Sequence, residues 1–120
     1  MKNRIFIFIY LFIQINYNSF CQNLVLNPSF ESYSACPGFS GEIFKATNWD
    51  NPSGHSGTSD YYNKCSMSAQ TTLPNNSFFF QNPQDGNGLV GLSTFSNFGF
   101  NEREYIQGLL STPLTFDSCY

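Results

Sequence analysis

Charge is scarce in this chain. Of its 120 residues 11% are Asp, Glu, Lys or Arg, with five Lys or Arg and a single His. Lys2 and Arg4 sit at the start, so the rest of the chain has only Lys45, Lys64 and Arg103 against all eight acidic residues. Three scattered cations make no basic patch, which argues against a nucleic-acid partner. No apolar run approaches the roughly 20 residues that a helix needs to cross a bilayer core. No CxxC spacing occurs, and one His leaves a zinc site without a ligand set. No Gly-x-Ser-x-Gly elbow is present. His55, Ser56 and Asp60 share a Gly/Ser-rich stretch, but a triad also needs a fold that gathers them around an oxyanion hole. Paired catalytic carboxylates have no supporting motif. The chain reads as a non-enzyme.

What is present begins with a leader. Lys2 and Arg4 form a positive n-region, and Ile5 to Ile13 form a short unbroken apolar run closed by Gln14 and Asn16. That is the pattern of a secretory signal peptide over residues 1–21. Ser19 and Cys21 supply the small residues that place cleavage before Gln22. The alternatives are a lipid anchor at Cys21 and an uncleaved leader. Residues 22–120 suffice for one domain with a modest core, and the expected location is secreted or in the cell envelope.

Three cysteines lie beyond the leader: Cys36, Cys65 and Cys119. Export permits a disulfide. Cys36 and Cys65 are the preferred pair because both sit in loop-rich stretches that need a staple. Cys119 is left over, as a free thiol, an intermolecular bond or half of a missing pair.

No amphipathic helical pattern of useful length appears. Short apolar runs alternate with Asn, Ser, Gly and Thr, the signature of an all-β sandwich. Strands are expected at 23–26, 29–33, 42–47, 77–81, 88–95, 103–110 and 113–120. Tyr105, Gln107 and Leu109 alternate with Ile106, Gly108 and Leu110, so both faces carry apolar residues and this strand should be central. Asn27-Pro28 and Asn51-Pro52-Ser53-Gly54 favour turns. A jelly roll needs eight strands, and the last segment reads as a strand just beginning. The sandwich is therefore expected to be C-terminally incomplete, the N-terminal part of a longer protein.

Several motifs carry a resemblance. Asn27-Pro28-Ser29-Phe30-Glu31, Trp49, Tyr105-Ile106-Gln107 and Leu110-Ser111-Thr112-Pro113-Leu114 follow one another in the order seen in secreted bacterial β-sandwich domains. The general form resembles carbohydrate-binding modules of the galactose-binding-like jelly-roll type. Thr58-Ser59-Asp60-Tyr61-Tyr62-Asn63-Lys64-Cys65 is similar to the N-terminal domains of Bacteroidetes envelope and surface proteins. Some of those continue into a peptidoglycan-binding domain like that of outer-membrane protein A, others into gliding or sorting domains. The resemblance spans about residues 22–120.

It implies a non-catalytic extracellular module that binds a polysaccharide or cell-surface glycan. It also implies a structural calcium held by Glu31, whose carboxylate stands beside a turn with free carbonyls. The glycan candidates are Trp49, Asp60, Tyr61, Tyr62 and Tyr105, because sugar C–H faces pack on rings while Asp, Asn or Gln bond the hydroxyls. Trp49 also suits a core anchor, and Tyr61 and Tyr62 suit packing under a loop. Phe78-Phe79-Phe80 is either an exposed contact surface or core. The alternative function is a structural N-terminal domain that docks downstream peptidoglycan-binding or sorting domains.

Overall fold

The computed structural model describes residues 23–52, 58–95 and 103–116. The expected signal peptide, Cys21, His55, Ser56 and Cys119 lie outside the described residues. Two compact units are distinguished. One, Val25–Thr112, holds every element. The other joins the two chain ends, Met1–Leu24 and Pro113–Tyr120, and its described residues, 23–24 and 113–116, are in neither strand nor helix.

The Val25–Thr112 unit is all-β in character, with no α-helix among the described residues. A 3-10 turn, Ile43–Lys45, is followed by strand β1 (Trp49–Asp50), β2 (Asp60–Asn63), β3 (Gly88–Gly91) and β4 (Gln107–Gly108). The strands form two small antiparallel sheets, β1 with β4 and β2 with β3. The register pairs Trp49 with Gly108 and Asp50 with Gln107. In the other sheet Tyr61 faces Val90 and Tyr62 faces Leu89. Isolated bridges join Val25 to Leu110, Tyr33 to Ala46 and Asn75 to Phe80.

The expected strands survive unevenly. Of 88–95, β3 keeps residues 88–91, and 103–110 keeps β4 and the Leu110 bridge. The expectation of a central strand covered on both faces is not met: β4 is one of two strands in its sheet, and Tyr105, Leu109 and Leu110 are exposed, although backbone bonds reach the segment from two sides. Leu26 N–H donates to the Leu109 carbonyl at 2.9 Å, and Leu109 N–H donates to the Asn48 carbonyl at 3.0 Å.

The expected strand 42–47 is instead the 3-10 turn. Ile43 and Ala46 stand three residues apart and both enter the core, a spacing that suits a three-residue turn. Glu42 and Lys45, also three apart, form an ion pair at 2.7 Å. The expected strand 29–33 is broken at Phe30, whose φ of 59° is left-handed. That conformation is uncommon for a bulky residue and costs about 1–2 kcal/mol. It is held by the turn that Asn27 begins, with Phe30 N–H donating to the Asn27 carbonyl at 3.1 Å. The expected strand 77–81 is an Asn76 turn in which the side-chain Oδ1 accepts Phe78 N–H and Phe79 N–H.

β2 was not foreseen as a strand. Its two tyrosines are good β-formers, and it forms the centre of the core. Tyr61 packs with Ile43 and Ala46, and Phe30, Trp49, Val90 and Ile106 close over them. Buried polar groups are paired around it. Asn63 Nδ2 donates to Tyr61 Oη at 2.8 Å, and Thr71 Oγ1 donates to the Pro37 carbonyl at 3.0 Å. Among the described residues no buried side-chain nitrogen or oxygen lacks a partner.

The disulfide is the one expected. Cys36 and Cys65 are joined, with Cα atoms 5.8 Å apart and 29 residues of sequence separation. It ties the loop before the 3-10 turn to the end of β2.

Candidate functional site

The site is assembled from a turn outward. Asn27 has φ 52°, a value that Asn tolerates. Its side chain makes three bonds to two neighbours: Nδ2 donates to the Ser32 and Thr47 carbonyls, both at 2.8 Å, and Oδ1 accepts Ser32 N–H at 2.9 Å. Its carbonyl accepts Trp49 Nε1–H at 2.8 Å. The indole is therefore fixed by the same turn that fixes Phe30, and the two rings pack at a tilt of 39° with centroids 4.7 Å apart.

β4 passes close to the indole. Its residue opposite Trp49 is Gly108, where a Cβ would lie 2.8 Å from Cζ3 and 2.9 Å from Cη2 of the ring. Only glycine lets the strand approach so near. Asp50 and Gln107, the next pair in the register, are both exposed.

A cleft of about 350 Å³ opens here, lined by Phe44, Asn48, Trp49, Asp50, Gln107 and Leu109. That volume is within the range of small-ligand sites. Phe44 (62% exposed) and Leu109 (54% exposed) give it exposed apolar walls. Asn48, Asp50 and Gln107 give it amide and carboxylate groups, and Asp50 is the one charged residue of the lining.

The ring and carboxylate residues expected to bind glycan are thus dispersed. Trp49 lines the cleft. Tyr61 (0% exposed) and Tyr62 (3% exposed) are taken up by the core and present no face to an outside ligand. Tyr61 Oη donates to the Phe30 carbonyl at 2.8 Å, and burial pushes its pKa up to about 12. Tyr62 Oη donates to Asp60 Oδ2 at 2.9 Å, and its ring meets Phe79 edge-on at 4.8 Å. Burial, then the Asp60 carboxylate, raises its pKa further. Asp60 also accepts Gly41 N–H at 2.5 Å, so both its oxygens serve the fold. Tyr105 is half-exposed and outside the cleft lining; its carbonyl accepts Ser59 Oγ–H at 2.8 Å.

Phe44, Asn48, Gln107 and Leu109 line the cleft but were not singled out in the sequence. Phe44 was assigned to a strand rather than to an exposed corner of a 3-10 turn. The signal that could have drawn attention to Gln107 was its neighbour Gly108, a glycine inside an expected strand, which often marks close approach of another group.

Glu31 does not have the surroundings of a calcium ligand. Its Oε1 accepts Asn87 N–H at 2.6 Å and Gly88 N–H at 2.8 Å, and its Oε2 accepts Asn87 Nδ2–H at 3.2 Å. Partial burial works to raise its pKa, but these donors and the nearby Lys64 ammonium outweigh it and hold the carboxyl below its usual range. Calcium needs several oxygen ligands, whereas N–H groups and a cation surround this carboxylate. The donor set does not fit the ion. Glu31 instead fastens the N-terminal turn to the start of β3. Gly86 beside it has φ 66°, and a Cβ there would clash with the Glu31 carboxylate.

Comparison with models of protein families, with curated proteins and with solved structures finds no match to this chain.

Proposed function

We propose that this is a non-catalytic binding module of jelly-roll type, exported from the cell, and that the cleft at β1 and β4 takes a glycan. One observation carries the reading. Exposed apolar walls, Phe44 and Leu109, meet three hydroxyl-bonding side chains, Asn48, Asp50 and Gln107, in a single cleft. Sugars offer both surfaces that such a cleft matches, apolar C–H faces and a rim of hydroxyls. The Asn27 turn and the Phe30 ring hold Trp49 before any ligand arrives, which reduces the entropy lost on binding. The Cys36–Cys65 disulfide supports an extracytoplasmic location, because such bonds persist in oxidising compartments.

The test is a polysaccharide and oligosaccharide array probed with the wild-type protein and with Asp50→Ala. The expected result is saturable binding by the wild type and its loss in the variant. Retained binding in the variant places any glycan elsewhere. No binding by the folded wild type leaves the structural role, a domain that docks downstream peptidoglycan-binding or sorting domains, as the better account.

A further inference from the structure

Asn87-Gly88 is the one Asn-Gly dipeptide in the chain. In such a pair the Gly nitrogen meets no side chain of its own residue when it attacks the neighbouring amide. Asn87 is exposed, so water reaches it. Around it the structure builds an unusual restraint. Glu31 accepts Asn87 N–H, Gly88 N–H and Asn87 Nδ2–H at once, and the Asn87 carbonyl accepts Lys64 N–H at 3.1 Å. The reacting nitrogen, the leaving amide and the backbone on both sides of them are all held.

We propose that Asn87-Gly88 is a deamidation site, latched in its unreacted form by the Glu31 carboxylate, and that reaction there loosens the hold of the N-terminal turn on β3. In the reaction the Gly88 nitrogen attacks Cγ of Asn87. The N–Cγ bond forms, the Cγ–Nδ2 bond breaks, and ammonia leaves after water removes the Gly88 proton and supplies one to Nδ2. Water then opens the succinimide to aspartate or isoaspartate. The net change consumes one water and releases one ammonia.

Ring closure requires the backbone at 87 to rotate and the side chain to swing back over Gly88. Both movements break bonds to Glu31, and the first also strains the bond from Lys64. The latch therefore slows the reaction while it is closed. Once reaction has occurred, the latch closes less well, because the aspartate product keeps the two backbone donors but loses the one from Asn87 Nδ2. The new carboxylate at 87 replaces a donor with an acceptor and sets a second negative charge against Glu31. Isoaspartate in addition lengthens the backbone at the first residue pair of the β2–β3 register. Gly88 abuts the Phe30 carbonyl, where a Cβ would come within 2.6 Å, and the Phe30 ring packs against Trp49. The modification thus lies one residue from the support of the cleft, yet it does not depend on any ligand binding there.

The experiment ages the wild-type protein at neutral pH, folded and in urea, beside Glu31→Gln. Peptide mass mapping follows the amide-to-acid mass gain at 87, and enzymatic methylation detects isoaspartate. Conversion is expected in urea, with a rate in the folded wild type at least about tenfold lower. Glu31→Gln should convert about tenfold faster than folded wild type, the factor that corresponds to about 1.4 kcal/mol of lost restraint. Equal rates in folded and unfolded wild type, or no acceleration in a folded Glu31→Gln, overturn the latch. Should that variant fail to fold, Asn87→Asp, which carries the product side chain, decides. Its melting temperature is expected to fall by about 4–8 °C at neutral pH and to recover as pH falls through the carboxylate range. An unchanged melting temperature overturns the proposal.

Discussion

Removing one oxygen atom from the middle of the core should have a large effect. Tyr61 is fully buried, and its hydroxyl is a junction: it donates to the Phe30 carbonyl and accepts from Asn63 Nδ2, both at 2.8 Å. Tyr61→Phe keeps the ring and deletes both bonds. Asn63, itself 1% exposed, then has an amide proton with nowhere to go. A buried polar group left unpaired costs about 1–3 kcal/mol. The Phe30 carbonyl also loses its Tyr61 donor. The left-handed Phe30 also loses a restraint. A loss of about 2 kcal/mol is expected, or roughly 8–16 °C in melting temperature for a unit of this size. Urea denaturation at neutral pH, followed by circular dichroism, measures it, with the slope against denaturant checked for constancy. A loss below about 0.5 kcal/mol would refute the reasoning, because a surface substitution does as much. Asn63→Leu alone and in the Tyr61→Phe background completes a double-mutant cycle, which cancels the separate loss of the bond that Asn63 Oδ1 accepts from Cys65 N–H at 2.9 Å.

Other consequences are as specific. Reduction of Cys36–Cys65, or Cys36→Ser, should lower stability by about 3–4 kcal/mol in the chain-entropy account of a loop this long; denaturation with and without reductant measures it. Glu31 and Glu42 both have lowered folded pKa values. Their contribution is therefore present above the ordinary carboxylate range and lost as pH falls through the folded values. Glu31→Gln should flatten the acid limb of a stability–pH profile, and an unaltered limb counts against the assignment. Tyr61 and Tyr62 have raised values, so their contribution holds below about pH 10, the unfolded value, and falls above it; alkaline melts should show cooperative loss there. Gly108→Ala forces the indole from its place and should destabilise by about 1–3 kcal/mol with a shift in tryptophan emission. Chelators should leave the melting temperature unchanged, and a fall would restore calcium at Glu31.

Parts of this arrangement were legible in the sequence for identifiable reasons. The all-β character followed from short apolar runs between turn formers, and the disulfide from two cysteines in loop-rich stretches. The β3 and β4 positions followed from alternation. The rest depended on contacts between distant residues. Nothing local in 42–47 announces that Ile43 and Ala46 will enter the core from one side of a 3-10 turn, or that Phe44 will be left outside. Tyr61 and Tyr62 have the same composition whether they stack on sugar or fill a core. Only the pairing of β2 with β3, and the bonds to Phe30 and Asp60, decide it. Glu31 was read from its turn alone, whereas its partners lie 56 and 57 positions away.

The cleft contains the single tryptophan of the chain, so intrinsic fluorescence reports on that one place. The most direct measurement is a fluorescence titration of the folded protein with array-selected oligosaccharide, repeated for Gln107→Ala. Glycan binding at the cleft predicts a saturable change in Trp49 emission that weakens at least about tenfold in the variant, as loss of a ligand hydrogen bond in a partly enclosed site implies. Saturable binding by an independent method with no change in Trp49 emission, or with equal affinity in the variant, contradicts it.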